Sequence, residues 1–197
     1  MTIKNAIFDL GNVLFRFDGK ELIAHFDDGK YSEHLFPILF NNWHKRDRGE
    51  LSDEEFLEVI QADLNEDERQ IAKRLLDHWI DCLEYDRKVL DVIAKLRRAH
   101  IKVFAISNIP ADFAHRFKSI EALKDIEDAI FSSTEHLMKP DQRIFERAIT
   151  KFKINPQETL YIDDHEENVK AAMLCGFKGV VYKNNIDEIY GMIIGGR

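Results

Sequence analysis

The stretch Ile3-Lys4-Asn5-Ala6-Ile7-Phe8-Asp9-Leu10-Gly11-Asn12 decides the fold. Its apolar run up to Phe8 predicts a buried strand, and Gly11-Asn12 predicts a tight turn directly after it. Asp9 therefore stands at the carboxyl end of a strand, which is where open α/β sheets bind their ligands. We expect the functional site to be built around this carboxylate.

Two later runs repeat the arrangement of an apolar strand followed by polar side chains. Residues 103–106 are followed by Ser107-Asn108, and residues 160–162 are followed by Asp163-Asp164. Since the carboxyl ends of parallel strands meet at one edge of a sheet, these polar residues are expected to lie together with Asp9.

Helical and strand-like patterns alternate from residue 86 onward. The apolar spacing predicts helices over residues 87–100, 141–152, 166–175 and 186–194, and strands over residues 101–106, 129–131, 160–162 and 179–182. This alternation predicts an α/β fold with a doubly wound parallel sheet.

Residues 16–85 have a different character, because they are rich in charged and aromatic residues and show helical periodicity. Ser52 or Asp53 is expected to cap one helix, and residues 67–83 are expected to form another. The predicted organisation is a core domain of residues 1–15 and 86–197, with residues 16–85 inserted as a helical domain.

Composition excludes several classes of protein. The chain has 197 residues, 45% of them hydrophobic, and a formal net charge of −8, which argues against a nucleic-acid partner. No apolar run approaches the roughly 18 residues of a membrane span, and no signal peptide is recognisable. Cys82 and Cys175 suit a reducing compartment. We expect a soluble cytoplasmic protein, either a monomer or a weak homodimer.

The polar residues at the strand ends suit phosphoryl transfer. A carboxylate can attack phosphorus and form an aspartyl-phosphate, provided that a divalent cation and a cationic side chain neutralise the phosphate. Mg²⁺ prefers oxygen ligands in octahedral geometry. The chain offers carboxylates at Asp9, Asp163 and Asp164, a cation at Lys139, and neutral donors at Ser107 and Asn108.

Four segments in this order resemble the motifs of the haloacid dehalogenase-like hydrolase superfamily. They are residues 8–14, residues 106–108, Lys139-Pro140-Asp141 with Ile144-Phe145, and residues 161–164 with Asn168-Val169 and Ala171-Ala172. The resemblance covers nearly the whole chain. It implies a Rossmann-like core with an inserted helical cap that closes over the site. It also implies a Mg²⁺-dependent phosphatase acting on a small phosphorylated metabolite.

The resemblance also implies a role for each site residue. Asp9 would be the nucleophile and a metal ligand, together with the backbone carbonyl of Gly11. Asp164 would bind Mg²⁺ directly, and Asp163 would act through water or by orienting its neighbour. The remaining roles fall to Ser107 and Asn108, which would bind the phosphoryl group, and to Lys139, which would offset its charge and that of Asp9.

Gly11 departs from the usual pattern of the family. Most family phosphatases carry a second aspartate there as general acid, a function worth roughly 10²–10⁴-fold. The form Asp-Leu-Gly-Asn-Val is similar to a subgroup that includes sugar-phosphate phosphatases of the glucose-1-phosphate type, which implies a sugar phosphate as substrate. Asp18, Asp47 and Glu50 are each candidates to supply the missing proton, and the sequence does not choose among them.

Two rival functions stay open. A dehalogenase of the same superfamily also lacks the second aspartate, but it needs no metal, and Asp163-Asp164 would then crowd Asp9 with like charge. A protein that only binds a phosphorylated ligand is the second rival, and the retention of Asp9, Lys139 and Asp164 speaks against it.

Overall fold

The computed structural model describes residues 2–195. Its strands are β1 (Asn5–Phe8), β2 (Phe15–Arg16), β3 (Glu84–Tyr85), β4 (Lys102–Ser107), β5 (Asp128–Phe131), β6 (Thr159–Asp163) and β7 (Lys178–Val181). Its α-helices are α1 (Gly19–Ala24), α2 (Ser32–Asp47), α3 (Asp53–Ile60), α4 (Glu66–His78), α5 (Arg87–Arg98), α6 (Ala111–Arg116), α7 (Ser132–Glu135), α8 (Gln142–Phe152), α9 (Glu166–Leu174) and α10 (Ile186–Gly195).

The main sheet has five strands in the order β5-β4-β1-β6-β7. All four neighbouring pairs are parallel, and β1 lies at the centre, with Ile7 paired to Phe104 on one side and to Tyr161 on the other. The order reverses on either side of β1, so crossover helices cover both faces. The predicted doubly wound α/β fold is confirmed.

Two apolar cores explain why Ala6, Ile7 and Phe8 of β1 are consecutive apolar residues. Ala6 and Phe8 belong to one buried cluster, whereas Ile7 belongs to another on the opposite face of the sheet. Successive side chains of a strand point to opposite faces, so a strand covered on both sides is apolar at successive positions.

The inserted segment contains α1 to α4 and is joined to the core by a two-stranded antiparallel ribbon. In this ribbon Phe15 pairs with Tyr85, and Arg16 pairs with Glu84. Ser52, rather than Asp53, caps α3, since its hydroxyl accepts a hydrogen bond from the Glu55 backbone amide in a reciprocal capping box. The expectation of one helix over residues 67–83 was wrong over its last five residues. There α4 ends at His78, and residues 79–82 form a 3₁₀ turn that leads into β3.

Within the described residues, no helix combines the length and apolar character needed to cross a bilayer.

Candidate active site

Asp9 directly follows β1 and lies at the carboxyl edge of the sheet. Its backbone amide donates to the carbonyl of Ile162 at 2.8 Å, which continues the β1–β6 ladder and sets Asp9 beside Asp163. Its Oδ1 accepts from the Leu10 amide at 2.7 Å. The sheet register therefore brings together two carboxylates that are 154 positions apart in sequence.

Lys139 is buried between these two carboxylates. Its Nζ lies 2.8 Å from Oδ1 of Asp9 and 2.8 Å from Oδ2 of Asp163, and its side chain is only 1% exposed. Burial alone would lower the pKa of Lys139, but the two carboxylates raise it above its usual value. The lysine is therefore held as a cation at the site.

Burial dominates the ionisation of Asp9. It raises the pKa of this carboxyl to about 6, because the attraction of Lys139 only partly offsets desolvation and the charge of Asp163 raises the pKa further. An additional positive charge at the site would favour the carboxylate form that can act as a nucleophile.

Asp163 is fully buried, and both of its carboxylate oxygens are used. Oδ2 accepts from Lys139 Nζ and the Tyr161 hydroxyl, Oδ1 accepts from the His165 amide at 2.8 Å, and the Asn168 amide lies 3.1 Å from both. Burial opposes the ionisation of Asp163, yet Lys139 and these hydrogen bonds hold its pKa below the usual value. This carboxylate is suited to orienting its neighbours.

Asp164 differs from Asp163 in its exposure and in its hydrogen bonding. Its side chain is partly exposed, and among residues 2–195 its buried Oδ1 has no hydrogen-bond partner. Asp9, Asp163 and Asp164 each offer a carboxylate oxygen, and these oxygens lie within 4.8 Å of one another. Three hard oxygen donors so close together, one of them unpartnered, fit a divalent cation such as Mg²⁺.

The loop after β4 carries the two predicted phosphate-binding residues. Ser107 is buried at the end of the strand, at the site. The Asn108 side chain is largely engaged elsewhere, because its Oδ1 accepts from the Lys139 amide at 2.9 Å and its Nδ2 donates to the Lys139 carbonyl at 3.0 Å. Asn108 thus holds the segment that presents Lys139, and only its second N–H is free of these bonds.

The turn after Asp9 leaves room at Gly11. Asn12, not Gly11, takes the left-handed conformation, with φ of 54°, and its side chain accepts from the Phe17 amide. A Cβ built on Gly11 would meet no heavy atom within 4 Å. Gly11 is therefore not required for conformational reasons, and a side chain there would project into open space.

Two adjoining spaces meet at this turn. We call the first the Asp9 pocket, which has a volume of about 160 Å³ and includes Asp9, Lys139 and Asp164 in its walls. The second, the aromatic cavity, has a volume of about 130 Å³ and lies beneath the helical insertion. Its apolar walls are Phe15, Phe17, Trp43, Trp79, Ile109 and Pro110. The two spaces share Gly11, Phe17, Ser107 and Asn108 as lining residues.

The three candidate proton donors lie in different places. Asp18 caps α1, where its Oδ1 accepts from the Lys20 and Glu21 amides, and it lines a different pocket. Glu50 is half exposed and lies 3.7 Å from Arg48 on the surface. Asp47 lines the aromatic cavity, and so only this candidate shares a space with Gly11.

Sequence reasoning assigned no role to Tyr161, and it treated Trp79 only as part of a helical stripe. Tyr161 lies two residues before Asp163 on the same strand, so the period of two could have placed both side chains on one face. The position of Trp79 at the site depends on how the insertion packs on the core, which no local pattern reveals.

Comparisons with known proteins agree with this geometry. A model of the haloacid dehalogenase-like hydrolase family matches residues 3–176. The sesquiterpene phosphatase astK of Aspergillus oryzae is 27% identical over 182 residues, covering 91% of this chain and 89% of that protein.

Solved structures share the fold. An enzyme of the same family from Bacteroides thetaiotaomicron, in complex with magnesium and inorganic phosphate, aligns with a TM-score of 0.73 at 24% identity, covering 93% of this chain and 96% of its own. The L-2-haloacid dehalogenase from Xanthobacter autotrophicus, with chloropropionic acid covalently bound, aligns with a TM-score of 0.68 at 16% identity, covering 99% and 84%. With its sheet, its cluster of carboxylates and the family match over residues 3–176, the chain belongs to the haloacid dehalogenase-like hydrolases.

Proposed function

We propose that this hydrolase is a Mg²⁺-dependent phosphatase that cleaves a small phosphate monoester through an aspartyl-phosphate on Asp9. The observation that carries the proposal is the grouping of three carboxylate oxygens within 4.8 Å, with Lys139 bridging two of the carboxylates. Like charges packed this closely raise one another's pKa, and a divalent cation would relieve that repulsion.

Each residue of the site has its own role in the proposed reaction. Asp9, Asp164 and the backbone carbonyl of Gly11 would hold the cation, which would supply charge neutralisation to the transferring phosphoryl group. Asp9 attacks phosphorus, while Lys139 offsets the charge that gathers on the phosphate oxygens. Ser107 donates to a phosphate oxygen, and Asp163 keeps Lys139 in position through its 2.8 Å ion pair.

Released phosphate provides the direct test. Purified protein would be incubated with a panel of phosphate monoesters in Mg²⁺, and in parallel with EDTA. We expect Mg²⁺-dependent phosphate release that is lost in Asp9→Asn. Metal-independent halide release from 2-chloropropionate would instead establish the dehalogenase, and saturable binding of phosphate esters without turnover would establish a binding protein.

Two classes of substrate merit comparison. The first motif predicts a sugar phosphate. The lining of the aromatic cavity instead favours the phosphate of an apolar alcohol, and a relative of this chain is named as a sesquiterpene phosphatase. A cavity of about 130 Å³ is similar in size to an engineered apolar cavity of ~150 Å³ that takes up benzene. It would therefore accept one ring or one five-carbon unit with the insertion closed.

The two classes are separated by comparing kcat/KM for glucose 1-phosphate with that for a prenyl monophosphate. An apolar leaving group should be preferred, because burying one CH₂ group contributes about 0.8 kcal/mol. A preference for the sugar phosphate would restore the expectation from the sequence.

A further inference from the structure

We infer that Asp47, at the end of α2 in the helical insertion, is the general acid and base of this site, in place of the side chain that Gly11 lacks. The inference rests on the proposed phosphatase activity. It is carried by the position of Asp47 in the aromatic cavity and by the way the core holds it there.

The Asp9 pocket and the aromatic cavity adjoin each other at Gly11. Gly11, Phe17, Ser107 and Asn108 line both the Asp9 pocket and the aromatic cavity. An ester whose phosphoryl group lies against Asp9 and Ser107 can therefore direct its leaving group across Gly11 into the aromatic cavity. Asp47 is the only carboxylate among the residues that line that cavity in the described chain.

The core fixes the position of Asp47. The buried Ser132 hydroxyl donates to the Asp47 carbonyl at 2.5 Å and accepts from the Ile109 amide at 3.0 Å. One side chain thus ties the end of α2 to the loop that follows Ser107. Gly49 packs so closely on Ser133 that an added Cβ would lie 2.3 Å from its carbonyl oxygen.

The carboxyl group of Asp47 is free to react. Its Oδ1 is buried and has no hydrogen-bond partner within residues 2–195. Burial raises the pKa of Asp47 to about 7, with Arg46 lowering it and Asp112 raising it. Arg46 is itself paired with Asp53 at 2.5 Å and with Asp112 at 3.4 Å, so its charge is shared with other acids.

Asp47 moves a proton in both halves of the proposed reaction. Asp9 forms a bond to phosphorus as the bond from phosphorus to the leaving oxygen breaks, and the Asp47 carboxyl gives its proton to that oxygen, releasing the alcohol. The Asp47 carboxylate then takes a proton from the water that attacks phosphorus. The bond between Asp9 and phosphorus breaks, inorganic phosphate leaves, and both residues return to their starting states.

The test compares two leaving groups in Mg²⁺, nitrophenyl phosphate, whose phenolate departs without a proton, and n-butyl phosphate, whose alkoxide needs one. Asp47→Asn should lower kcat/KM, which reports formation of the aspartyl-phosphate and not its hydrolysis, by about 10²-fold or more on butyl phosphate, and should leave kcat/KM for nitrophenyl phosphate on the same order of magnitude. Glu50→Gln, which alters another carboxylate of the insertion, is the matched control and should change neither.

A rescue variant makes the test specific. Gly11→Asp places a carboxyl where a Cβ meets no atom within 4 Å, so the double variant Gly11→Asp/Asp47→Asn should recover kcat/KM for butyl phosphate by about tenfold or more over Asp47→Asn. Equal loss on both esters, or loss on neither, overturns the assignment of Asp47.

Two further outcomes are decisive. If Asp47→Asn does not fold, Gly11→Asp alone is measured. A gain of about 10²-fold in kcat/KM on butyl phosphate would show that the wild-type site has no proton donor and would overturn the inference. Values of kcat/KM on both esters similar to those of wild type support it. If wild-type protein releases phosphate from no monoester of the panel, these two esters included, the proposed function itself fails, and the inference fails with it.

Discussion

The clearest test of the site's electrostatics is Asp9→Asn, which should abolish turnover and at the same time make the folded protein more stable. Asn has nearly the shape of a protonated Asp but no charge to desolvate. The pKa of Asp9 in the fold is about 6 against an ordinary 3.8, so ionising this carboxyl in the folded state is unfavourable. At 1.36 kcal/mol per pH unit, the difference corresponds to about 3 kcal/mol.

The pH dependence of this stability difference follows from the number of protons that Asp9 binds in the folded and unfolded states. Between about pH 4 and pH 6 the folded protein binds more protons at Asp9 than the unfolded chain does, so wild-type stability falls as the pH rises through this range. Above about pH 7 the whole penalty is present. Asp9→Asn lacks it, so the variant should exceed wild type by up to about 3 kcal/mol at pH 8 and by little near pH 4.

Urea unfolding in EDTA at pH 8 and pH 4.5 measures the difference, with Asp63→Asn at an exposed position as the matched control. Turnover should fall by at least about 10³-fold, because the proposed attacking group is lost. Mg²⁺ should stabilise wild type more than the variant, by mass action. A variant that is no more stable than wild type at pH 8, or equally stabilised at both pH values, would refute the burial argument.

Three further predictions concern the metal, the ion pair and the insertion. Asp164→Ala should abolish Mg²⁺-dependent turnover without a large loss of stability, as judged by phosphate release and thermal melting, and retained Mg²⁺-dependent turnover would contradict its role as a ligand. Asp163→Ala leaves Lys139 buried with one partner fewer and should destabilise the fold by about 3–5 kcal/mol in urea unfolding, whereas wild-type stability would show that the ion pair is not held. Asp112→Ala removes the core acceptor for the Trp79 indole and Arg46, so the insertion should open more readily, raising KM more than it lowers kcat, and an unchanged KM would argue against this contact as a closing element.

The core was predictable because its signals are local. An apolar run followed at once by a polar residue identifies β1, β4 and β6, and the parallel order then brings Asp9, Ser107 and Asp163 to one edge. The predicted ends of these elements differ from the observed ones by a residue or two, because the last residue of a strand is defined by pairing rather than by composition.

The insertion was less predictable, because its role depends on packing between distant segments. Trp79 and Asp112 are 33 residues apart in sequence, and their side chains form a 2.6 Å hydrogen bond that no local sequence pattern predicts. The choice among Asp18, Asp47 and Glu50 likewise needed their surroundings, since an isolated sequence shows three similar acids. Asn108 was predicted to bind phosphate, a role that stays a prediction, and its contacts with the Lys139 backbone could not be inferred from its position after a strand.

The packing of Trp43 against Trp79 has a practical consequence. The chain has two tryptophans, their ring centroids lie 5.7 Å apart, and both line the aromatic cavity. The tryptophan fluorescence of the whole molecule therefore originates at one location. Because the Trp79 indole donates to Asp112 of the core, separation of the insertion would expose it to water. The wavelength of emission should thus report, without any label, whether the cavity is filled and whether the insertion is closed.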